Sequence, residues 1–539
     1  MRHFITTSLL AAALALPIAT RAADTCYVVM DGSATTNYFG YVGDAINSIG
    51  TGTGVVTMIA DDSIMTSNLE TRINVVGNVT LVSDGGDHTI WRGIQQAPTN
   101  YTLLYVARFG ESNAVLNLGA PSMPGTLTFD GGSFTNTSAS LVLNYQNGTL
   151  NLYDGVILKN NISGFEGSGV YNEGTFNMYG GIIVSNVSFG LGGGVDNAGY
   201  WSGSKAIFNM YGGTIAHNES RISMNHGGLG GGVANEGSAI FNLFGGSIEN
   251  NQAELAGGGI FNAKYSNAYA HTNGSLHITG GSISGNAVTA TNGMGNGVYS
   301  DKILTMGDAA SLNANNDVFI SNGVILVTSQ LTESGVIATL SSASTTSGTQ
   351  LVKVDIGSGQ TLDDVLPSFA LVSGSGQILA VDIAADAIIR ATAFEAWLLS
   401  RGYSYTDPDY APASDSDDDN ATTWEEYLAD TDPGDASSVL AITIGSLYST
   451  NYVDIVATNE LNEVVTNRVY DNIGIVFSWP SASGRIYDVE NTDSMLPATW
   501  QATETDIPAT PPANIYTNLF GDLPPDALRF YRTRVRLGN

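Results

Sequence analysis

Five imperfect copies of one phrase lie between Gly148 and Ser300: GTLNLYDGVILKN, GTFNMYGGIIVSN, AIFNMYGGTIAHN, AIFNLFGGSIENN and SLHITGGSISGN. Each leads into a glycine-rich return: GSGVYNEG, GGGVDNAG, GGGVANEG, GGGIFNAK and GNGVYSD. The second glycine of the phrase recurs at Gly155, Gly181, Gly213, Gly246 and Gly281, in steps of 26, 32, 33 and 35 residues. Self-similarity at such a period builds a stack of like units in place of one compact core. The step allows one solenoid turn and a loop of variable length.

Within each copy apolar residues stand two apart: Leu150 and Leu152, Phe176 and Met178, Phe208 and Met210, Phe241 and Leu243, Leu276 and Ile278. That period places both on one face of a short strand. Two asparagine columns follow the same rhythm. The first is Asn160, Asn186, Asn218, Asn251 and Asn286, and the second is Asn172, Asn197, Asn235 and Asn262, broken at Ser300. If each copy is one coil, these amides stack about 4.7–4.9 Å apart and bond in ladders. The pattern predicts a mainly β protein, a parallel β-helix with three short strands per coil.

On these residues the chain resembles bacterial adhesin-like parallel β-helix proteins. It is also loosely similar to the polymorphic outer membrane protein repeats, whose Gly-Gly-Ala-Ile and Phe-x-x-Asn tetrapeptides have their nearest matches in Gly258-Gly259-Ile260 and the Gly-Gly-Gly-Val returns. The resemblance covers roughly residues 30 to 390. It implies a secreted or surface-exposed protein and no particular activity.

Export is also written at the start of the chain. Residues 1–22 read as a signal peptide: Arg2, an apolar run from Leu9 to Ile18 too short to span a bilayer, then Thr20-Arg21-Ala22 before cleavage. Ala23-Asp24-Thr25 lacks the pattern that precedes a lipidated cysteine, so Cys26 is read as unmodified. No further segment suits a transmembrane helix. The full chain carries 50 acidic against 19 basic residues, a net charge of −31, and loses Arg2 and Arg21 with the signal. That charge argues against nucleic acid and anionic membrane as partners and favours divalent cations. With one cysteine, no intramolecular disulfide forms.

The β-helix is expected over 23–391, with the amphipathic stretch Tyr41 to Ile49 as its N-terminal cap. A helical segment with a calcium loop is expected over 392–436. There, twelve residues from Asp415 to Glu426 fit an EF-hand loop, with oxygen ligands at positions 1, 3, 5, 7, 9 and 12. Asp415, Asp417 and Asp419 would give carboxylates, Ala421 its carbonyl, Thr423 a direct or water-mediated contact, and Glu426 a bidentate carboxylate. Asn420 replaces the usual glycine and is the residue next best at positive φ. The plain alternative is a solvated acidic linker; against it, AFEAWLLSRGY and WEEYLAD read as flanking helices. The segment resembles EF-hand-like and thrombospondin type 3 calcium segments. Dockerins, also similar, carry two such loops, and one is found here. A structural Ca2+ is implied.

Residues 437–539 read as a small antiparallel β-sandwich, with strands VLAITIG, YVDIVAT, GIVFSWP, GRIYDVEN, TWQATE and LRFYRTRVRL. Trp479 through Gly484-Arg485 to Tyr487, with Trp500 and Phe530-Tyr531-Arg532, resembles small C-terminal β-domains of secreted bacterial proteins, which implies attachment or sorting. Arg532, Arg534 and Arg536 form a stripe that would hold an acidic glycan or complement the chain's own acids.

No catalytic residue is assigned. A β-helix lyase would need a clustered base, and Lys159, Lys205, Arg221 and Lys264 are scattered. A hydrolase needs paired carboxylates about 5–9.5 Å apart. Glu173 and Glu236 share a coil position two copies apart, roughly 10 Å by strand spacing, with Asp196 near them; they read as turn decoration. His217 reads as a turn residue, and Trp201 as the one exposed aromatic of the solenoid. The expectation is an exported, noncatalytic, adhesin-like or surface structural protein presenting its β-helix to a glycan, cell or matrix ligand. The competing reading is a polysaccharide lyase or glycoside hydrolase working on the coil face.

Overall fold

The computed structural model describes residues 24–64, 73–92, 102–108, 113–133, 139–164, 167–199, 205–223, 226–263, 274–312, 316–372, 376–458, 464–519 and 529–538. The expected signal peptide, Trp201 and Lys264 lie outside the described residues. The chain divides into two compact units, Met1–Ala391 and Thr392–Asn539.

The first unit is a parallel β-helix. Its three long sheets hold 15, 9 and 11 strands, and apart from the antiparallel strands at the ends of the first sheet each is hydrogen-bonded in parallel to its counterpart one coil away. In the first sheet Leu150 pairs with Phe176, Phe176 with Phe208, Phe208 with Phe241, and Phe241 with Leu276, with no slip between copies. The five copies are therefore five coils. A fourth sheet of five two-residue strands, from Ile162–Ser163 to Ala287–Val288, was not legible in the repeat. It forms where the residues just past the first asparagine column run extended beside one another.

Alternation decides what is inside. Phe176, Phe208 and Phe241 are fully buried and stack with centroids 4.6 and 4.5 Å apart and planes within 6°. Each such ring removes on the order of 150–250 Å² from water, so the columns take the place of a conventional core. The glycine-rich returns have a steric origin. Gly192, Gly230, Gly257 and Gly295 all have φ between 60° and 69°. Beside them, a Cβ on Gly231 would sit 2.4 Å from the Gly258 carbonyl oxygen of the next coil.

One asparagine is misplaced by sequence spacing. Asn160 has φ 56° and shares its turn position with Ser185 (56°), His217 (53°) and Asn250 (54°). Its neighbour Asn161 is the ladder residue, because Lys159 pairs with Val184 and so brings Asn161 opposite Asn186. The first copy holds one extra residue after Gly155, which counting from the glycine cannot see. His217 is the turn residue expected.

Both ends are closed. The helix Val42–Ile49 buries Val42, Ala45, Ile46 and Ile49, and the antiparallel strands Cys26–Met30 and Thr36–Phe39 finish the first sheet. At the other end Ala387–Ala391 pairs antiparallel with Gln350–Val354.

The second unit combines helices Ala393–Ser400 and Thr423–Ala429 with two three-stranded antiparallel sheets. Each helix begins with a capping box, from Thr392 and Glu395 and from Thr422 and Glu425. The strand reading needs correction here. VLAITIG and YVDIVAT merge into one sixteen-residue strand, Thr443–Thr458, and GIVFSWP ends the seventeen-residue Val464–Pro480. Ala513–Leu519 is a further strand. Phe477, Trp479, Tyr487 and Val489 form the core.

Candidate functional site

Three asparagine ladders run along the solenoid. In the first, Asn186, Asn218, Asn251 and Asn286 each donate from Nδ2 to the Oδ1 of the next member, at 2.8–3.0 Å, ending on Asn316. Each also donates to a backbone carbonyl, at 2.8–3.1 Å. In the second, Asn172, Asn197 and Asn235 bond onward to Asn262 at 2.7–2.8 Å, and Asn262 bonds Ser300 Oγ at 2.9 Å. Asn144 extends that column one coil earlier. All are buried, and the bonds along each column are what makes them tolerable; at the column ends Asn144 Oδ1 and Asn316 Nδ2 have no partner among the described residues.

The third ladder escaped the sequence reading. Asn151, Asn177, Asn209 and Asn242 point outward from the first sheet, half-buried, and each donates back to the preceding member at 2.8–2.9 Å, ending on Asn117. Two residues further along each strand stands an outward aromatic. Tyr153, Tyr179, Tyr211 and Phe244 stack at 5.1, 5.2 and 5.0 Å. Tyr179, Tyr211 and Phe244 are 45–46% exposed, so Trp201 is not the lone exposed aromatic of the solenoid. The signal was present as the alternate letters of the phrase, LNLY, FNMY, FNMY and FNLF.

Of the alternative acids, Glu173 lies in the bend after Val170–Asn172, whereas Asp196 and Glu236 lie within strands, and all three are buried. Glu173, Asp196 and Glu236 are 7%, 0% and 0% exposed. Asp196 alternates with the ladder residue Asn197 and shares its position with Ala234 and Phe261, which are buried too. Glu173 and Glu236 belong to one column with Ala198 between them. Lys302 donates to the Asn235 carbonyl at 3.3 Å. Burial lowers this lysine to about 8, against the pull of Glu236 towards the charged form. These carboxylates are thus packed within the wall of the solenoid. Of the repeat's cations, Lys159 lies 3.6 Å from Asp130 and Arg221 2.6 Å from Glu219.

In the second unit the acidic loop closes on itself. Asp415, Asp417 and Asp419 bring one carboxylate oxygen each within 4.8 Å of the others. Asp418 and Asn420 take φ of 60° and 73°, so Asn420 does occupy the left-handed turn. The Ala421 and Asn420 amides donate to Asp419 and Asp415 at 2.7 and 3.0 Å. Glu426 is fully buried, and burial followed by the charges of Asp417 and Asp419 raises it to about 7. Glu426 Oε2 and Asp417 Oδ2 are buried without a hydrogen-bond partner. Orphaned oxygens beside a carboxylate cluster fit a hard cation. Thr423 is turned otherwise: its hydroxyl donates to the Ser414 carbonyl at 3.1 Å.

The arginine stripe is matched from within. Arg532 and Arg534 meet Glu490 at 2.6 and 3.5 Å, and Arg536 meets Asp488 at 3.7 Å as well as Asp506. Trp479 is core, and Trp500 lies under Arg532, 4.3 Å from its guanidinium carbon. No described helix is long and apolar enough to cross a membrane.

The first unit is thus a parallel β-helix bearing one regular uncharged outer face. No protein-family model matches the sequence, and no curated protein does. Among solved structures the chain is similar to the enzymatically active domain of tailspike protein 4 of bacteriophage CBA120, at 13% identity and a TM-score of 0.24. The match covers 92% of this chain and 64% of that one, so the chain spans less than two thirds of the tailspike's length.

Proposed function

We propose that this is an exported, noncatalytic, adhesin-like protein whose β-helix binds glycan on a cell or matrix surface. The observation that carries this reading is the division of side chains. Glu173, Asp196 and Glu236, the acids weighed for hydrolysis, are buried in the wall, whereas the first sheet turns amides, hydroxyls and aromatic rings outward. Saccharide binding uses that mixture, apolar surface with convergent polar groups. A hydrolase would need its carboxylates within reach of the scissile bond.

Calcium belongs to the same proposal. Asp415, Asp417, Asp419, the Ala421 carbonyl and Glu426 would hold one Ca2+, and the ion would neutralise carboxylates that otherwise repel one another. Its role is structural, with affinity about 10⁻⁴–10⁻³ M as in extracellular modules. An anionic surface of this size keeps nucleic acid from the partner list.

The test is a glycan array probed with the chain in calcium, with product analysis on every glycan retained. Retention without cleavage is expected. Release of oligosaccharides would make it an enzyme, and no retention at all would remove glycan as the ligand.

A further inference from the structure

We infer that the outer face of the first sheet holds an extended, neutral, β-1,4-linked polysaccharide laid along the solenoid axis, one sugar to each coil. This rests on the glycan reading above and adds to it the class of chain, its direction and its length.

Three outward positions repeat in each coil: Thr149, Asn151 and Tyr153; Thr175, Asn177 and Tyr179; Ile207, Asn209 and Tyr211; Ile240, Asn242 and Phe244. Pairing carries them from coil to coil without slip. None is charged, in a chain with 50 acidic and 19 basic residues. The surrounding negative charge repels anionic polymers, and a strip without cations offers them no compensation. A neutral polymer rich in hydroxyl groups is the complement.

Each asparagine of the row spends one amide hydrogen on its neighbour and keeps a second for an outside acceptor. The rings beside them are stacked face to face, which leaves their edges outward. Ring edges carry the positive end of the aromatic quadrupole and suit sugar oxygens, and Tyr153, Tyr179 and Tyr211 add phenolic hydroxyls. The aromatic steps of 5.1, 5.2 and 5.0 Å set the period a ligand must match. An extended pyranoside chain with equatorial linkages advances by a similar step per sugar. An extended peptide advances about 3.3 Å per residue, so its residues do not fall one to a coil.

The strip also has ends. Asn117 starts the amide row, and in its coil Gly119 takes the aromatic position, so the ring column begins one coil later at Tyr153. Past Asn242 the next residue in the column is His277, whose two ring nitrogens are already bonded to Ser275 and Thr305 at 2.7 and 2.8 Å. The row therefore runs from Asn117 to Asn242 and then stops.

The experiment is calorimetric titration of the full chain, in calcium, with β-1,4-linked glucose and N-acetylglucosamine oligomers of increasing length. Affinity in at least one series is expected to rise with each added sugar until the row from Asn117 to Asn242 is filled, then level off. Asn209→Asp, which keeps the shape and loses the amide donors, should weaken binding about tenfold, the loss of roughly one hydrogen bond. Ser247→Ala on the second sheet should leave it unchanged. Affinity already complete with a disaccharide, or no binding of either series, overturns the inference; glycans still retained on the array would leave the broader reading standing. A dimer of the native chain that Tyr211→Ser dissociates, with no sugar bound, would assign the strip to self-association and overturn it as well.

Discussion

Arg485 donates from Nη2 to the Tyr427 carbonyl at 2.7 Å and from Nε to the Leu428 carbonyl at 2.8 Å, with its guanidinium 5.0 Å from the centre of the Tyr427 ring. Those carbonyls belong to the last turn of the helix that carries Glu426. A cation satisfies helix-end carbonyls that have no partner of their own. One sheet residue of the second unit is thereby fastened to the acidic loop's helix.

Calcium should accordingly stabilise the sheets of that unit along with the loop. Scanning calorimetry of the full chain with calcium at about 100 times its dissociation constant should raise one transition by about 2–3 kcal/mol, or roughly 5–10 °C. Chelation should reverse the shift, and Asp417→Asn should reduce it. A thermogram indifferent to calcium would dispose of the ion.

The same loop should make stability depend on pH in a defined direction. Glu426 sits at about 7 in the folded chain against 4.5 when free, chiefly because burial disfavours its charge. A carboxyl raised in this way contributes full stability below pH 4.5 and loses it as pH climbs through 7. Without calcium, urea resistance of the second unit should therefore fall between pH 4.5 and pH 7. With calcium the fall should be suppressed, since the ion favours the carboxylate. Equal urea midpoints at both pH values without calcium would contradict this.

Two asparagines nine residues apart should behave oppositely. Asn218→Ala takes the acceptor from both the backbone N–H and the Nδ2 of Asn186, each at 3.0 Å and buried. Each stranded group costs about 1–3 kcal/mol, so chemical denaturation should show a loss of more than ~2 kcal/mol. Asn209→Ala removes a rung from the half-exposed row, where water replaces the lost partner, and should change stability by about 0.5 kcal/mol or less.

Cys26 should be silent toward thiol reagents in the native chain. It is fully buried, and burial pushes its thiol up to about 12, so almost no thiolate exists near neutrality. Its labelling should appear only as the first sheet opens at the N-terminal cap. Prompt modification of the native chain at pH 8 would show that end to be loose.

Much of the architecture was legible because a solenoid repeats its physics in every copy. Buried apolar positions and two amide columns recur at fixed offsets, and a parallel stack is their shared solution. The exception was Asn160, where adjacent asparagines and one extra residue leave the choice to strand register. The outward row, Asn151 to Asn242, lay in the same letters as the core columns, one residue out of phase. Burial of Glu173, Asp196 and Glu236 could not be read, because it depends on segments distant in sequence, such as the one bearing Lys302. The long strand Thr443–Thr458 read as two because its pairing is irregular between Leu447 and Tyr452.

Because one coil meets the next without slip, unequal recombination within the gene could insert or remove a whole copy and leave every remaining junction intact. Lineages could then differ in how many units of a polymer they grip, with each allele a ruler cut to a whole number of steps.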